Sequence, residues 1–143
     1  MTIRPPGRRS DWNGCDNYEF KVRRRPCLLV VPKIAAAGRP WIWRTEFFDH
    51  EPQVDLALLA KGWHIAYMQA SDLYGAPKAI GLLKSFHDYL ESRCGLASRA
   101  VLEGFSRGGL YAFNYAAACP RRVAALYLDA PVLDIRSWPG GKG

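Results

Sequence analysis

The chain has 143 residues, a formal net charge of +7, 49% hydrophobic and 13% aromatic residues, and four cysteines. That is enough apolar material for one domain with a real core, and no apolar run approaches a membrane span. Residues 1–14 (MTIRPPGRRSDWNG) contain no apolar stretch of the kind a signal peptide needs.

The basic residues fall in short clusters: Arg8-Arg9, Arg23-Arg24-Arg25 and Arg121-Arg122. Each sits where a turn is expected, so they read as a solvated rim rather than a nucleic-acid face. Their one functional alternative is long-range attraction of an anionic substrate or surface. Cys15, Cys27, Cys94 and Cys119 show neither Cys-x-x-Cys nor metal-ligand spacing. They read as free thiols in a reducing, cytoplasmic setting, with Cys15–Cys27 the one pairing left open. No metal, cofactor, membrane or nucleic-acid partner is expected.

Residues 18–22 alternate apolar and polar like a strand, residues 23–26 make a turn, and 27–31 (CLLVV) run on as a second strand, giving a hairpin. Residues 32–39, with Pro, Gly and three alanines, read as a loop. Trp41-Ile42-Trp43 reads as a short buried strand. A helix is expected over about 52–60, with Pro52 in its first turn, Val54, Leu58 and Leu59 on its apolar face, and Gly62 as its stop. Residues 63–68 (WHIAYM) form the next strand.

Pro77 opens the longest helix, about 77–93, with Ala79, Leu82, Leu83, Phe86 and Leu90 as its buried stripe and Gly95 as its cap. Residues 101–116 (VLEGFSRGGLYAFNYA) then pass from a short strand through Gly-x-Ser-x-Gly, at Gly104, Ser106 and Gly108, into a small-residue helix that Pro120 ends. A last strand, 123–128 (VAALYL), is almost uninterruptedly apolar. Such strands belong in a parallel sheet covered on both faces.

A strand–Gly-x-Ser-x-Gly–helix sequence resembles the nucleophile elbow of the α/β-hydrolases. There the serine sits on a sharp, strained turn, and the residues two positions away must lack side chains. The hairpin followed by alternating strands and helices has the order of that superfamily. Residues 40–44 (PWIWR), 47–55 (FFDHEPQVD), 102–109 (LEGFSRGG) and 137–143 (SWPGGKG) look most like its bacterial esterase-like or prolyl-oligopeptidase-like members.

The resemblance implies an α/β fold with a mostly parallel sheet of about six strands and helices on both faces. It further implies that Ser106 is the nucleophile and that the backbone N–H of Arg107 forms one arm of an oxyanion hole. The other arm lies just after the third family strand, around Arg44 and Thr45, where Arg44-Thr45-Glu46 replaces the usual His-Gly run. The expected substrate is a small-molecule ester or amide. Asp72, Tyr74 and Asp129 follow strands and so stand at the carboxyl edge, where pockets form. Asp72 and Tyr74 are the candidate substrate contacts, with a turn or capping role the alternative for Asp72. Glu103 reads as half of a buried ion pair with Arg44 or Arg107 rather than as a catalytic acid. His50, His64 and His87 read as ordinary surface or core histidines.

In this superfamily the triad runs Ser, acid, His. After Ser106 the chain offers Asp134, and less well Asp129, as the acid, and no histidine. The expectation is therefore a single domain over 1–143, cut short after the sixth strand. Its exposed edge would favour self-association. One class of function is a serine hydrolase completed by a C-terminal segment that carries the acid and the His. The other is a non-catalytic remnant or binding domain.

Overall fold

The computed structural model describes Pro5 and residues 7–133, so Asp134 and the 137–143 stretch lie outside the described residues. The chain forms β1 (Arg8–Trp12), β2 (Cys15–Val22), β3 (Arg25–Val31), β4 (Trp41–Arg44), α1 (Gln53–Ala60) and β5 (His64–Met68). A 3-10 turn at Ser71–Leu73 leads to α2 (Pro77–Cys94), β6 (Ala100–Phe105) and α3 (Gly108–Ala118), and a second at Pro120–Arg122 leads to β7 (Val123–Asp129). One seven-stranded sheet has the order β1-β2-β3-β5-β4-β6-β7. The β5-β4, β4-β6 and β6-β7 pairs are parallel, and the other three are antiparallel.

The sheet is thus mixed, with the candidate site on its parallel half. The seventh strand is β1, which its charged alternation (RRSDW) hides. The Asn13-Gly14 pair turns it into β2 with both residues at positive φ (50° and 85°), the turn that matches strand twist. The β2–β3 turn is also tighter than expected. Val22 pairs with Arg25, which leaves only Arg23 and Arg24 in the bend.

Alternate residues of each strand feed two apolar layers. Trp41, Trp43, Phe20, Leu29 and Met68 join Leu83, Phe86, Leu90 and Tyr115 from α2 and α3, and Ile42, Val30 and Ile65 join Leu59 of α1 on the other face. Trp41 and Trp43 stack at 5.4 Å between ring centroids, and both meet the edge of His87. The α2 stripe is buried as its spacing predicts, and Gly95 caps the helix at φ 70°. α1 departs from expectation: Asp55 shares its buried face with Leu59. β7 departs too, since its residues 124–127 are exposed and no described element covers them. All four cysteines are free thiols, and burial pushes Cys27 up to about 12 and Cys94 up to about 11.

Two histidines are buried without charge. His87 accepts from Tyr115 Oη at Nδ1 (2.8 Å) and donates from Nε2 to Ser98 O (2.9 Å), while His64 Nδ1 lies 3.3 Å from Pro40 O. Burial lowers both from the ordinary value of 6.5, and for His87 the nearby Arg122 adds to it, against the opposing pull of Ser98 O, Glu91 and Asp88. The unfolded chain therefore binds these protons first. Their contribution is complete above about pH 6.5 and is lost as pH falls below it. Urea unfolding from pH 7 to pH 5 should show that decline, and a His64→Gln/His87→Gln variant should flatten it. An unchanged slope in the variant would refute the assignment.

Candidate active site

β6 lies between β4 and the edge strand β7 and ends at Phe105, so Ser106 stands at the carboxyl edge between β6 and α3. Its φ is 54°, a left-handed conformation that costs a non-glycine residue roughly 1–2 kcal/mol. Three backbone hydrogen bonds hold it there. Ser106 N donates to Asp129 O (3.0 Å), and Ser106 O accepts from Gly109 N (3.0 Å) and Val132 N (2.7 Å). The Ser106 side chain stays only half buried.

The flanking glycines are required by contact. A Cβ on Gly104 would stand 2.9 Å from Gly109 Cα and 3.1 Å from Ala112 Cβ, where the strand meets the helix. One on Gly108 would stand 3.0 Å from both Thr45 Oγ1 and Glu46 Cβ. Gly108 thus lets the loop after β4 close onto the start of α3. The first N–H groups of that helix present a positive end beside Ser106.

The loop after β4 is anchored from several sides. Thr45 N donates to Glu103 O (3.1 Å), and Thr45 Oγ1 lies 2.8 Å from Glu103 O and 2.9 Å from Gly108 O. The Arg44 backbone belongs to the β4–β6 ladder opposite Glu103. Of the backbone donors expected around Arg44 and Thr45, that of Thr45 is engaged. The Thr45 N–H is spent on the ladder, and the next N–H, on Glu46, makes no hydrogen bond among the described residues.

The sequence places Glu46 in this loop but assigns its side chain no role. Its buried carboxylate accepts from Ser71 Oγ (2.7 Å) and from Arg107 Nε (2.8 Å), joining the loops after β4, β5 and β6. The Arg107 guanidinium also lies 4.8 Å over the Phe47 ring. A charged residue in a loop offers no periodicity by which its burial can be read.

Beneath the elbow lies a buried charge cluster. Arg44 Nη1 is 3.3 Å from Glu103 Oε2 and 3.4 Å from Asp55 Oδ2, Arg44 Nε donates to Glu46 O (3.1 Å), and Nη2 donates to His50 O. Of the two partners expected for Glu103, Arg44 is the one it meets, and the pair has a third member, Asp55. Burial and the adjacent Asp55 push the Glu103 carboxyl up, against the pull of Arg44.

The remaining candidates are engaged elsewhere. Asp72 accepts from Arg25 Nη1 (2.6 Å), which holds its carboxyl below the usual range, and Tyr74 N donates to Tyr111 Oη (2.9 Å). Asp129 serves Ser106 through its backbone carbonyl. His50 packs its ring 5.2 Å from that of Phe105, yet no hydrogen bond joins a histidine to Ser106 among the described residues.

No family model and no curated protein sequence matches the chain. Solved structures do. A probable hydrolytic enzyme from Pseudomonas aeruginosa is 25% identical with a TM-score of 0.53, over 81% of this chain and 41% of that one. A cold-adapted esterase from an Arctic intertidal metagenomic library is 14% identical with a TM-score of 0.66, over 85% and 61%. An acetyl xylan esterase from Aspergillus awamori is 14% identical with a TM-score of 0.62, over 77% and 50%. The chain therefore spans between 41% and 61% of the length of these structures.

Proposed function

On the α/β-hydrolase fold that this chain adopts, we propose that Ser106 is the nucleophile of a serine hydrolase that cleaves an ester or amide through an acyl-enzyme. One observation carries the reading: a half-buried serine is held at φ 54° on the turn between β6 and α3, at the positive end of a helix. In this mechanism Ser106 Oγ attacks the substrate carbonyl. The oxyanion that forms accepts from the N–H groups of Arg107 and Glu46. Asp72 and Tyr74, on the loop after β5, belong to the rim on which the rest of the substrate lies.

The reading assigns the acid and the imidazole base to a C-terminal segment, for which the greater length of the matched structures leaves room. Reaction with a fluorophosphonate probe, mapped by peptide mass spectrometry, tests the assignment. Phosphonylation of Ser106 supports it, and labelling elsewhere alone removes it. Parallel assays on a short acyl ester and on a proline-containing peptide separate an esterase from a prolyl-oligopeptidase-like enzyme.

Glu46 acts in this scheme as a positioning residue. Glu46→Ala leaves Arg107 and Ser71 without their shared acceptor and loosens one arm of the oxyanion hole. The expected result is a fall in kcat of about 10- to 100-fold with little change in KM. Glu46→Gln keeps the backbone in place and one hydrogen bond, and should recover most of the rate. A change confined to KM would contradict the positioning role.

A further inference from the structure

The turn between β2 and β3 is chemically odd. A two-residue bend of this type is normally built from Asn-Gly, as at Asn13-Gly14, because both positions need positive φ. Here Arg23 and Arg24 occupy it at φ 53° and 67°. Two arginines therefore bear a backbone cost that Asn-Gly would avoid. The local return is small. Arg23 Nη1 donates to the exposed Ser85 Oγ (3.0 Å), and Arg24 makes no hydrogen bond or ion pair among the described residues. Strain with so little structural return is characteristic of binding corners.

The position adds meaning. β3 runs antiparallel to β5, with Cys27 opposite Met68, so this turn stands at the same carboxyl edge as Ser106. From β3 to β6 the sheet order crosses β5 and β4, three strand spacings of about 4.8 Å, or roughly 14 Å. A cleft of about 490 Å³ opens there, lined by Arg24, Arg25, Pro26, Gln69, Ser71 and Asp72. Its inner wall, Ser71, hydrogen-bonds Glu46, which in turn holds Arg107 beside Ser106. Arg25 and the nearby Lys78 act on one carboxylate, Asp72, and Arg24 lines the same cleft.

We propose that the Arg23–Arg25 corner is an anion-recognising subsite that takes a carboxylate on the substrate, roughly 14 Å from the scissile carbonyl. The substrate class is thus an ester or amide with an anionic group remote from the bond that is cut. Arg24 supplies the uncommitted charge, and Asp72 holds Arg25 in the cleft wall. This deepens the hydrolase reading and rests on it for its kinetic arm.

The test, on the protein complemented with a C-terminal segment that carries the acid and the His, compares kcat/KM for the 4-nitrophenyl monoester of a medium-chain dicarboxylic acid with that for the uncharged acyl ester of equal length. The variant is Arg23→Asn/Arg24→Gly, which removes both guanidinium groups and installs the preferred turn pair, so its melting temperature should rise. The expected ratio favours the charged ester by about tenfold at low salt and shrinks as salt is added. It should fall toward one in the variant and persist in Arg99→Gln, which removes a charge at the opposite edge of the sheet. An equal ratio in wild type and variant, or an equal loss in Arg99→Gln, overturns the subsite.

If the complemented protein turns over neither ester in a Ser106-dependent manner, the hydrolase reading fails on its own. Calorimetric titration with the monoanilide of the same dicarboxylic acid then decides the subsite. Binding that the turn variant loses supports it, and absent or unchanged binding overturns it.

Discussion

Ser106→Ala should abolish ester hydrolysis, with a loss in kcat on the order of a millionfold and only a small remainder above water from the oxyanion donors and binding. The size of the effect follows from the role: a nucleophile cannot be bypassed by the groups around it. Without an imidazole in reach of Ser106, residues 1–143 alone should hydrolyse short 4-nitrophenyl esters negligibly and label weakly with fluorophosphonates. Supplying a C-terminal segment with the acid and the His, in cis or as a separate chain, should restore a rate that depends on Ser106. The decisive comparison is the complemented protein against its Ser106→Ala version. Equal rates would make the elbow only a turn and leave the binding-domain reading in its place.

Arg44→Met should be the most damaging single change to stability, by about 3–5 kcal/mol. Arg44 is 1% exposed and carries the ion pairs to both Asp55 and Glu103. Its removal leaves two buried carboxyls without a cation, and the loop at Glu46 and His50 without its anchor. For a domain of this size the melting temperature should drop on the order of 10–20 °C. Replacing the cluster together, as Arg44→Met/Asp55→Leu/Glu103→Leu, should recover most of the loss, because the desolvation cost disappears with the charges. A single variant as stable as the parent would show that the cluster is solvated.

What the sequence made legible follows from where the physics is local. The α2 stripe is buried because helical spacing places Ala79, Leu83, Phe86 and Leu90 on one face. The strained turn at Ser106 is legible because such a turn needs small neighbours at fixed offsets, and the contacts at Gly104 and Gly108 are the reason. The ion pair of Glu103 was foreseen from its apolar neighbours, but not its third member. Asp55 lies on a short helix whose buried face is decided by a guanidinium that arrives from β4. Glu46 and Ser71 meet only because β4, β5 and β6 end side by side, which is a property of sheet order. β1 escaped notice because an edge strand needs no apolar alternation, although Asn13-Gly14 announced its turn. The exposed face of β7 departs from its apolar composition, which records what a strand is suited to rather than what lies beside it.

The stacked tryptophans of β4 have an optical consequence. Trp41 and Trp43 are fully buried, with ring planes 28° apart, and His87 abuts both. Two indoles in such contact couple their electronic transitions, so the folded molecule should show a dichroic couplet in the ultraviolet that neither residue produces alone. The couplet depends on strand geometry one pleat from Arg44 and is independent of catalysis. Trp43→Phe should erase it while the sheet persists, which identifies its source. The remaining signal changes then separate two events that one emission spectrum would merge: protonation of His87, which quenches the indoles beside it, and separation of the strand from the helices that enclose it.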